Sequence, residues 1–503
     1  MPISQWELIK AKLNFMQKEN ALSLSQENII NDQIASDQIN PYKQQQQFGC
    51  NYYFDRADII SKKRTYWEDG VEKIDETVPN KKIQVNYFKL LIDQKVAYLV
   101  GKEPTITSSN PDHSTLINDL LGEEFPDIIS DVIKNVSNKG VEYIMPYINA
   151  EGEFDYFILD SLEIIPIYDK WDKSCIRAFI RYYQVVNEKG EVGLQIEYWD
   201  DKEVTYYVKE SNDAMVLFDS SREVNPQAHF TFDDGVNGVK GFGWGRCPII
   251  EFRNNNEMLS DLTPSLKSLI DDYNALNSTV SDDLAELQQS VLVVQNYMGT
   301  DKKELKRDMK NNKVLLTGPE GGVSNLTVNI PIDSVEQTLQ RRETDIFTTA
   351  QGVNTKNDIF NNAPSGVTLK QLYQSLDQKC SVLERKATKA IDELVSFITQ
   401  FILIKTGVDY SEEDVCIKFN KQMLINQQEQ IDMVTQSVGL LSKRTLLENH
   451  PWVNDVEEEL RRIQAEEMPM TPPEETTQLT QMENMMEGNE DMEDMSQPGM
   501  MEE

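Results

Sequence analysis

The chain has 503 residues, 39% hydrophobic and 26% charged, and its 84 acidic against 49 basic side chains leave a formal charge of -35 at pH 7. That length exceeds a single globule and predicts several cores, and no apolar run approaches the roughly 18 to 20 residues of a membrane-spanning helix, which excludes membrane and fibrous classes. The charge disfavours tight nucleic-acid binding through a basic face, because such a surface repels a polyanion at long range.

At the N-terminus Ser4 and Glu7 form a capping box, and Leu8, Ile9, Phe15 and Met16 predict a short amphipathic helix to about Lys18. Glu7 and its polar neighbours leave no apolar signal-peptide core, so the expected compartment is the cytoplasm. A second helix is expected over 26–34, and the glutamine run 44–47 reads as a linker-like tract. Residues 59–121 read as helical with interruptions, most clearly from Tyr87 to Val100 with Gly101 as the stop. Ile128, Ile129, Val132, Ile133 and Val136 predict a helix over 126–137 closed by Gly140.

From Val141 to Phe252 the period changes to that of strands. Segments 143–148 and 154–159, 176–186 and 191–199, and 204–208 and 215–218 flank polar turns and predict antiparallel hairpins. Helical layer and meander together imply an α+β lateral domain. Gly241-Phe-Gly-Trp-Gly245 lacks the spacings of phosphate-binding loops and leads into a strand, so it is read as a turn that lets Trp244 approach backbone.

Leu259, Leu262, Leu266, Leu269, Tyr273, Leu276, Val280, Leu284 and Leu287 recur at steps of three and four, the stripe of one long helix. Thr263 and Pro264 fit its N-cap and first position, so its strongest part is 264–289. Between the leucines lie Lys267, Asp271, Asp272, Asp282, Asp283 and Glu286. Adjacent carboxylates on a helix diverge by about 100° and do not share a proton or metal easily, so a solvated or tunnel-facing role is expected. A small insert follows at 290–331, with strands at 291–294 and 314–317 and a turn at Gly318-Pro-Glu-Gly-Gly322. Its basic cluster, Lys302, Lys303, Lys306, Arg307, Lys310 and Lys313, stands out in an acidic chain, as a solvated face or as a docking patch for an acidic partner.

Asp333 with Glu336 caps a second helix that stops near Gly352. The polar loop 353–366 precedes a helix whose stripe, from Leu369 through Cys380 and Ile391 to Phe401, runs to Lys405 with Gly407 as the stop. Beyond it, 415–419 reads as a strand and 427–441, 442–448 and 455–467 as helices. The lysine- and arginine-free, methionine-rich tail is predicted disordered. Five scattered cysteines are expected to be reduced and structural. The separated His113, His229 and His450 match no catalytic or metal spacing, so no cofactor, metal or catalytic residue is assigned.

The order of helix, insert, helix, loop and long helix comes with a set of matching stretches. They are Gly243-Trp-Gly-Arg-Cys-Pro-Ile-Ile-Glu-Phe-Arg-Asn-Asn-Asn-Glu-Met-Leu-Ser-Asp-Leu262, Ile330-Pro-Ile-Asp-Ser334, Lys63-Arg-Thr-Tyr-Trp67, Asp93-Gln-Lys-Val-Ala-Tyr-Leu-Val-Gly101 and Asn135-Val-Ser-Asn-Lys-Gly-Val-Glu-Tyr143. From about Tyr52 to Ile463 the chain resembles the portal, or head-to-tail connector, proteins of tailed bacteriophages, in particular those of long non-contractile-tailed phages of Gram-positive bacteria. The resemblance implies a portal fold, α+β, and a cyclic homo-oligomer, a dodecamer in the virion. Its parts would be an N-terminal arm at 1–51, a wing at 52–255, stem helices at 256–289 and 332–352, a clip at 290–331 and a tunnel loop at 353–366. A long helix at 366–405, a crown at 406–465 and the acidic tail at 466–503 complete it.

On this resemblance Asn354, Thr355, Lys356, Asn357, Asp358, Ile359, Phe360, Asn361 and Asn362 line a DNA channel, and Lys267, Asp271, Asp282 and Glu286 belong to its stem wall. Implied partners are double-stranded DNA in transit, the terminase large subunit, major capsid and scaffolding proteins and a head-completion adaptor, with no membrane. The protein would be assembled in the host cytoplasm and reside at a capsid vertex of the virion. The acidity then serves either solubility alone or a wall along which a polyanion slides. A nucleic-acid hydrolase with a site in the strand-rich domain and a monomeric helical adaptor are the alternatives.

Overall fold

The computed structural model describes residues 26–76, 78–186, 190, 192–211, 214–233, 239–287, 291–297, 303, 317–326, 332–356, 366–422, 427–448, 450, 452–453 and 456–467. The expected helix over 4–18, the first residue of the helix expected over 455–467 and the tail beyond Glu467 lie outside them. The chain divides into two compact units, Met1–Leu424 and Ile425–Glu503.

The first unit opens with α1 (Gln26–Gln38) and α2 (Pro41–Tyr53). The Asn40 side chain accepts the Tyr42 N–H at 3.1 Å and Pro41 occupies the first turn. That start signal, with the good helix propensity of glutamine, carries the 44–47 run into α2 and corrects the linker reading; Gln46 is buried. A 3₁₀ turn (Asp58–Ser61) then leads to a hairpin, β1 (Thr65–Glu68) with β2 (Val71–Ile74), where interrupted helix was expected. Asp69 and Gly70 take the positive φ values, 53° and 78°, that its tight turn requires.

Next come α3 (Tyr87–Val100), β3 (Thr105–Ser108), α4 (Pro111–Leu121) and α5 (Phe125–Lys139). Asn86 and Asn110 cap α3 and α4, and Gly140 ends α5 in the left-handed region. A Cβ at Gly140 would sit 2.2 Å from the Met258 carbonyl oxygen, so this helix end is packed against the 254–262 segment with only glycine fitting.

The strands are β4 (Val141–Ile148), β5 (Phe154–Leu159), β6 (Ile164–Tyr168), β7 (Ile176–Val186), β8 (Val192–Trp199), β9 (Glu203–Lys209), β10 (Leu217–Phe218), β11 (Gln227–Ala228), β12 (Phe230–Asp233), β13 (Val239–Phe242) and β14 (Ile250–Arg253). One antiparallel sheet has the order β14-β4-β5. A second runs β10-β9-β8-β7-β6 with β11 on β9, and β12 pairs with β13. The hairpin registers follow the expected turns, with Val186 opposite Val192 and Ile148 opposite Phe154. Ile30 and Ile34 of α1 cover the face of the larger sheet that presents Ile165, Ile180, Leu194, Ile196 and Tyr207.

The remaining elements are α6 (Pro264–Leu287), β15 (Val291–Tyr297), β16 (Thr317–Leu326), α7 (Ile332–Ala350), α8 (Gly366–Thr406) and β17 (Val415–Lys418), the last pairing with β3. The expected turn at 318–322 is instead part of β16. Gln295 pairs with Gly322 and Tyr297 with Thr317, so the glycine-rich stretch forms an irregularity opposite Asn296, whose amide donates to the Pro319 carbonyl at 3.0 Å. The stripe of α8 fills the largest core: Leu376, Cys380, Leu383, Ala387, Ile391, Leu394, Ile398 and Phe401 pack with Ile117, Ile133, Phe252 and Trp244. Its last turn stops at Gly407, φ 75°.

The second unit holds α9 (Gln427–Gln436), α10 (Lys443–Glu448) and α11 (Val456–Glu467). The first ends at Gln436, short of the expected 441, in a turn around Gly439 at φ 88°.

Candidate functional site

The elements assigned to a channel are the α6–α7 pair and the segment after α7. Thr263 caps α6, its hydroxyl oxygen accepting the Leu266 N–H at 3.2 Å. Near this start Leu266 and Ile270 pack with Ile346, Phe347 and Ala350 of α7 and with Phe88, Leu91 and Ile92 of α3. Tyr87 lies edge-on to both Tyr273 and Phe347, at 5.1 and 5.9 Å. Arg342 bridges the pair by donating to Asp272 at 2.6 Å. Toward the other end the packing thins. Ile332 is 55% and Leu284 44% exposed, and Val335 and Leu339 are half-buried.

An extended strap, 78–86, lies along α6. The backbone N–H groups of Lys81, Ile83 and Val85 are accepted by Asp282 at 2.8 Å, Ser278 at 3.0 Å and Asn274 at 2.9 Å. Alternate residues of an extended chain point one way, and positions four apart on a helix share a face, so the two periods meet as a ladder. All three acceptors are buried, and Asp282 also lies 3.4 Å from Arg64. Asn274, Ser278 and Asp282 recur at four-residue steps, a signal readable in the sequence but hidden there among the leucines.

The root of the 353–366 segment is fixed from three sides. Gly352 N–H returns to the Phe347 carbonyl at 2.9 Å, ending α7, and Gln351 takes φ 59°. The Gln94 side chain meets both backbone groups of Val353, accepting at 2.8 Å and donating at 2.9 Å. Beside it Lys95 donates to Asp261 at 2.8 Å and to Asn254 at 2.8 Å, and Lys379 of α8 reaches Asp261 at 3.1 Å and the Ala350 carbonyl at 3.0 Å. Burial would raise the Asp261 pKa, but Lys379 and Lys95 outweigh it and hold that carboxyl well below its usual range; burial lowers that of Lys95. Sequence reading missed this node, because its members come from four separate segments.

The predicted wall residues divide. Lys267 donates to Asp58 at 2.5 Å and Asp271 at 2.8 Å, and Tyr52 donates to Asp271 at 2.5 Å, so these two are half-buried in a network with the 52–58 region. Burial pulls the Lys267 pKa down, and the hydrogen bonds to Asp271 and Asp58 outweigh it to leave it raised. Asp282 lies under the strap, where the carboxylate accepts the Lys81 N–H and is buried, not solvated. The side chain of Glu286 lies outside the described residues.

In the loop, Asn354, Thr355 and Lys356 are described, and Lys356 lies 3.0 Å from Glu343 of α7. Asn357, Asp358, Ile359, Phe360, Asn361 and Asn362 lie outside the described residues, as do Lys302, Lys306, Arg307, Lys310 and Lys313 of the basic cluster; Lys303 is exposed. His113 is buried with the Ser108 and Thr399 hydroxyls 3.0 and 3.1 Å from its ring nitrogens.

A family model described as phage portal protein, SPP1 Gp6-like, matches residues 35–469. The portal protein of Bacillus phage SPP1 is 35% identical over 423 residues, covering 83% of this chain and 82% of that one. The portal protein of Clostridium phage phiCD119 is 29% identical over 440 residues, covering 82% of this chain and 92% of that one. Matched over most of its length by that model and by both relatives, the chain belongs to the SPP1 Gp6-like family of phage portal proteins.

Proposed function

We infer that the protein forms the portal at one vertex of the phage capsid, the channel through which double-stranded DNA enters during packaging and leaves on ejection. It is a structural component of the virion and not an enzyme, and the hydrolase alternative falls with the family assignment. The working form in this reading is a closed ring, a dodecamer in the virion, that meets the terminase large subunit, capsid and scaffolding proteins and a head-completion adaptor. The observation that carries the ring is the α6–α7 pair, packed at its root by its own subunit and, among the described residues, only partly covered at its far half, where Ile332 and Leu284 are exposed. A symmetric neighbour would cover that surface. The 353–366 segment, joined to α7 at a fixed root, lines the channel in this reading. Its asparagines offer hydrogen bonds without base readout, which suits sequence-independent passage.

Native mass spectrometry and negative-stain imaging test the ring. Annular particles are expected, and a chain that stays monomeric at micromolar concentration would overturn it. Cysteines at Thr355 and Asn361 test the loop: tethering neighbouring loops should permit assembly but stop packaging, with recovery on reduction. Normal packaging with verified cross-links would remove the loop from the channel.

A further inference from the structure

Gln94 lies on α3, outside every segment assigned to the channel, yet it is the group that holds the channel segment's first residue. Its planar amide takes both the N–H and the C=O of Val353, at 2.8 and 2.9 Å. Val353 is 3% exposed within the largest core, so neither backbone group has ready access to water there. A carboxamide offers an acceptor and donors side by side in one rigid plane, so the residue type matches a backbone clamp more closely than it matches packing.

The next residue of the same helix holds the other side of the turn. Lys95 fixes Asp261, Asp261 pairs with Lys379, and Lys379 donates to the Ala350 carbonyl. Positions 350 and 353 are therefore both tied to consecutive residues of α3, one directly and one through two charged groups. Gly352, between them, lies so close to α3 that a Cβ there would meet Leu91 Cδ2 at 2.2 Å.

We propose that Gln94 is a positioning residue for DNA passage: it fixes 350–353 against α3, so that the channel segment starts from Val353 at a set position and in a set direction. This rests on the reading that 353–366 faces DNA. A hydrophobic contact at this place would locate the chain only loosely. Two hydrogen bonds to one residue fix both its position and its peptide orientation, which sets the direction in which the following residues leave.

The full-length ring carrying Gln94→Met or Gln94→Glu tests the proposal. Methionine keeps volume and removes both hydrogen bonds, whereas glutamate keeps the acceptor for the Val353 N–H and loses the donor. Hydrogen exchange across 352–356, thermal unfolding and DNA packaged per procapsid are measured together. Exchange is expected to rise about tenfold in Q94M and by less in Q94E, with assembly retained and packaging falling in the same order. Should Q94M fail to fold, Q94E alone decides, through its exchange and its packaging. Unchanged exchange in the folded variants overturns the clamp, and raised exchange with wild-type packaging overturns the positioning role. The tethered Thr355 and Asn361 ring separates this from failure of the channel reading: packaging indifferent to the tether removes the loop from the channel, while the exchange result still reports on the clamp.

Discussion

The two halves of the α6–α7 pair are built on one apolar period but meet different fates. At the root, Leu266, Ile270, Ile346, Phe347 and Ala350 are buried by α3 and by aromatic edges from Tyr87 and Tyr273. In the far half the same stripe continues through Val335, Leu339 and Leu284; the strap covers only the α6 face that carries Asn274, Ser278 and Asp282, and among the described residues the surface stays partly open. The difference shows that helix periodicity declares only that a partner exists. Whether that partner is the same chain depends on what else folds against it, and here α3 reaches only the root.

The comparison breaks most directly at Asp261. Asp261→Ala leaves Lys95 buried without its counter-charge, and a loss of about 3–5 kcal/mol in unfolding free energy is expected, because stripping one partner from a buried pair strands the other. Denaturant or thermal melts of the isolated chain check this, and a change no larger than that of a surface substitution would contradict the node. The next effect sharpens the contrast between the halves. Phe347→Ala should cost roughly 3–4 kcal/mol, as for other buried aromatic truncations, while Leu339→Ala should cost about 1 kcal/mol or less in the monomer and weaken ring formation. Equal monomer losses at both sites would mean that the far half is already packed.

Smaller again is the strap. Asp282→Ala removes the acceptor of the Lys81 N–H and should cost about 1–3 kcal/mol, with faster exchange confined to 78–86. If exchange there is unaltered, the strap is held by something other than its ladder.

The last effect is a pH slope elsewhere in the subunit, read as a drift and not as a single loss. Burial pushes Glu142 up to about 7 against the pull of Lys139. A raised carboxyl contributes stability that is fully present below its unfolded value near 4.5 and is lost as pH rises through about 7. Melting temperature should therefore drift down across that window, and Glu142→Gln should flatten the drift; an identical slope in the variant would locate it in another group.

Much of this was legible in the residues. Thr263 and Pro264 announced the start of α6, Gly140 and Gly407 the ends of two helices, and the polar turns fixed the hairpin pairs of the large sheet. The Asp69-Gly70 step was an equally direct hairpin signal, passed over because both faces of β1 and β2 are exposed and show no alternation. The glutamine run misled by composition, since Asn40 and Pro41 had already started a helix through it. At the site, the leucine stripe was readable, but the Asp261 node was not: its partners lie at 95, 254 and 379, and nothing local in any of those segments anticipates the others.

The ladder beneath the strap also works as a pair of mismatched rulers. Two extended residues advance about 6.7 Å, whereas four helical residues advance about 6.0 Å. The graduations therefore slip by about 0.7 Å per rung, reaching about 1.4 Å at the third and about 2 Å at a fourth, beyond what a hydrogen bond tolerates. Three rungs are used, and the place where the next would fall on α6 holds Ile270, already committed to the core. Directly after the last rung the strap gives way to Asn86 and α3. The mismatch limits how long a strand can ride on a helix, and the Asn86 cap takes over where the third rung ends, starting the helix from which Gln94 reaches Val353.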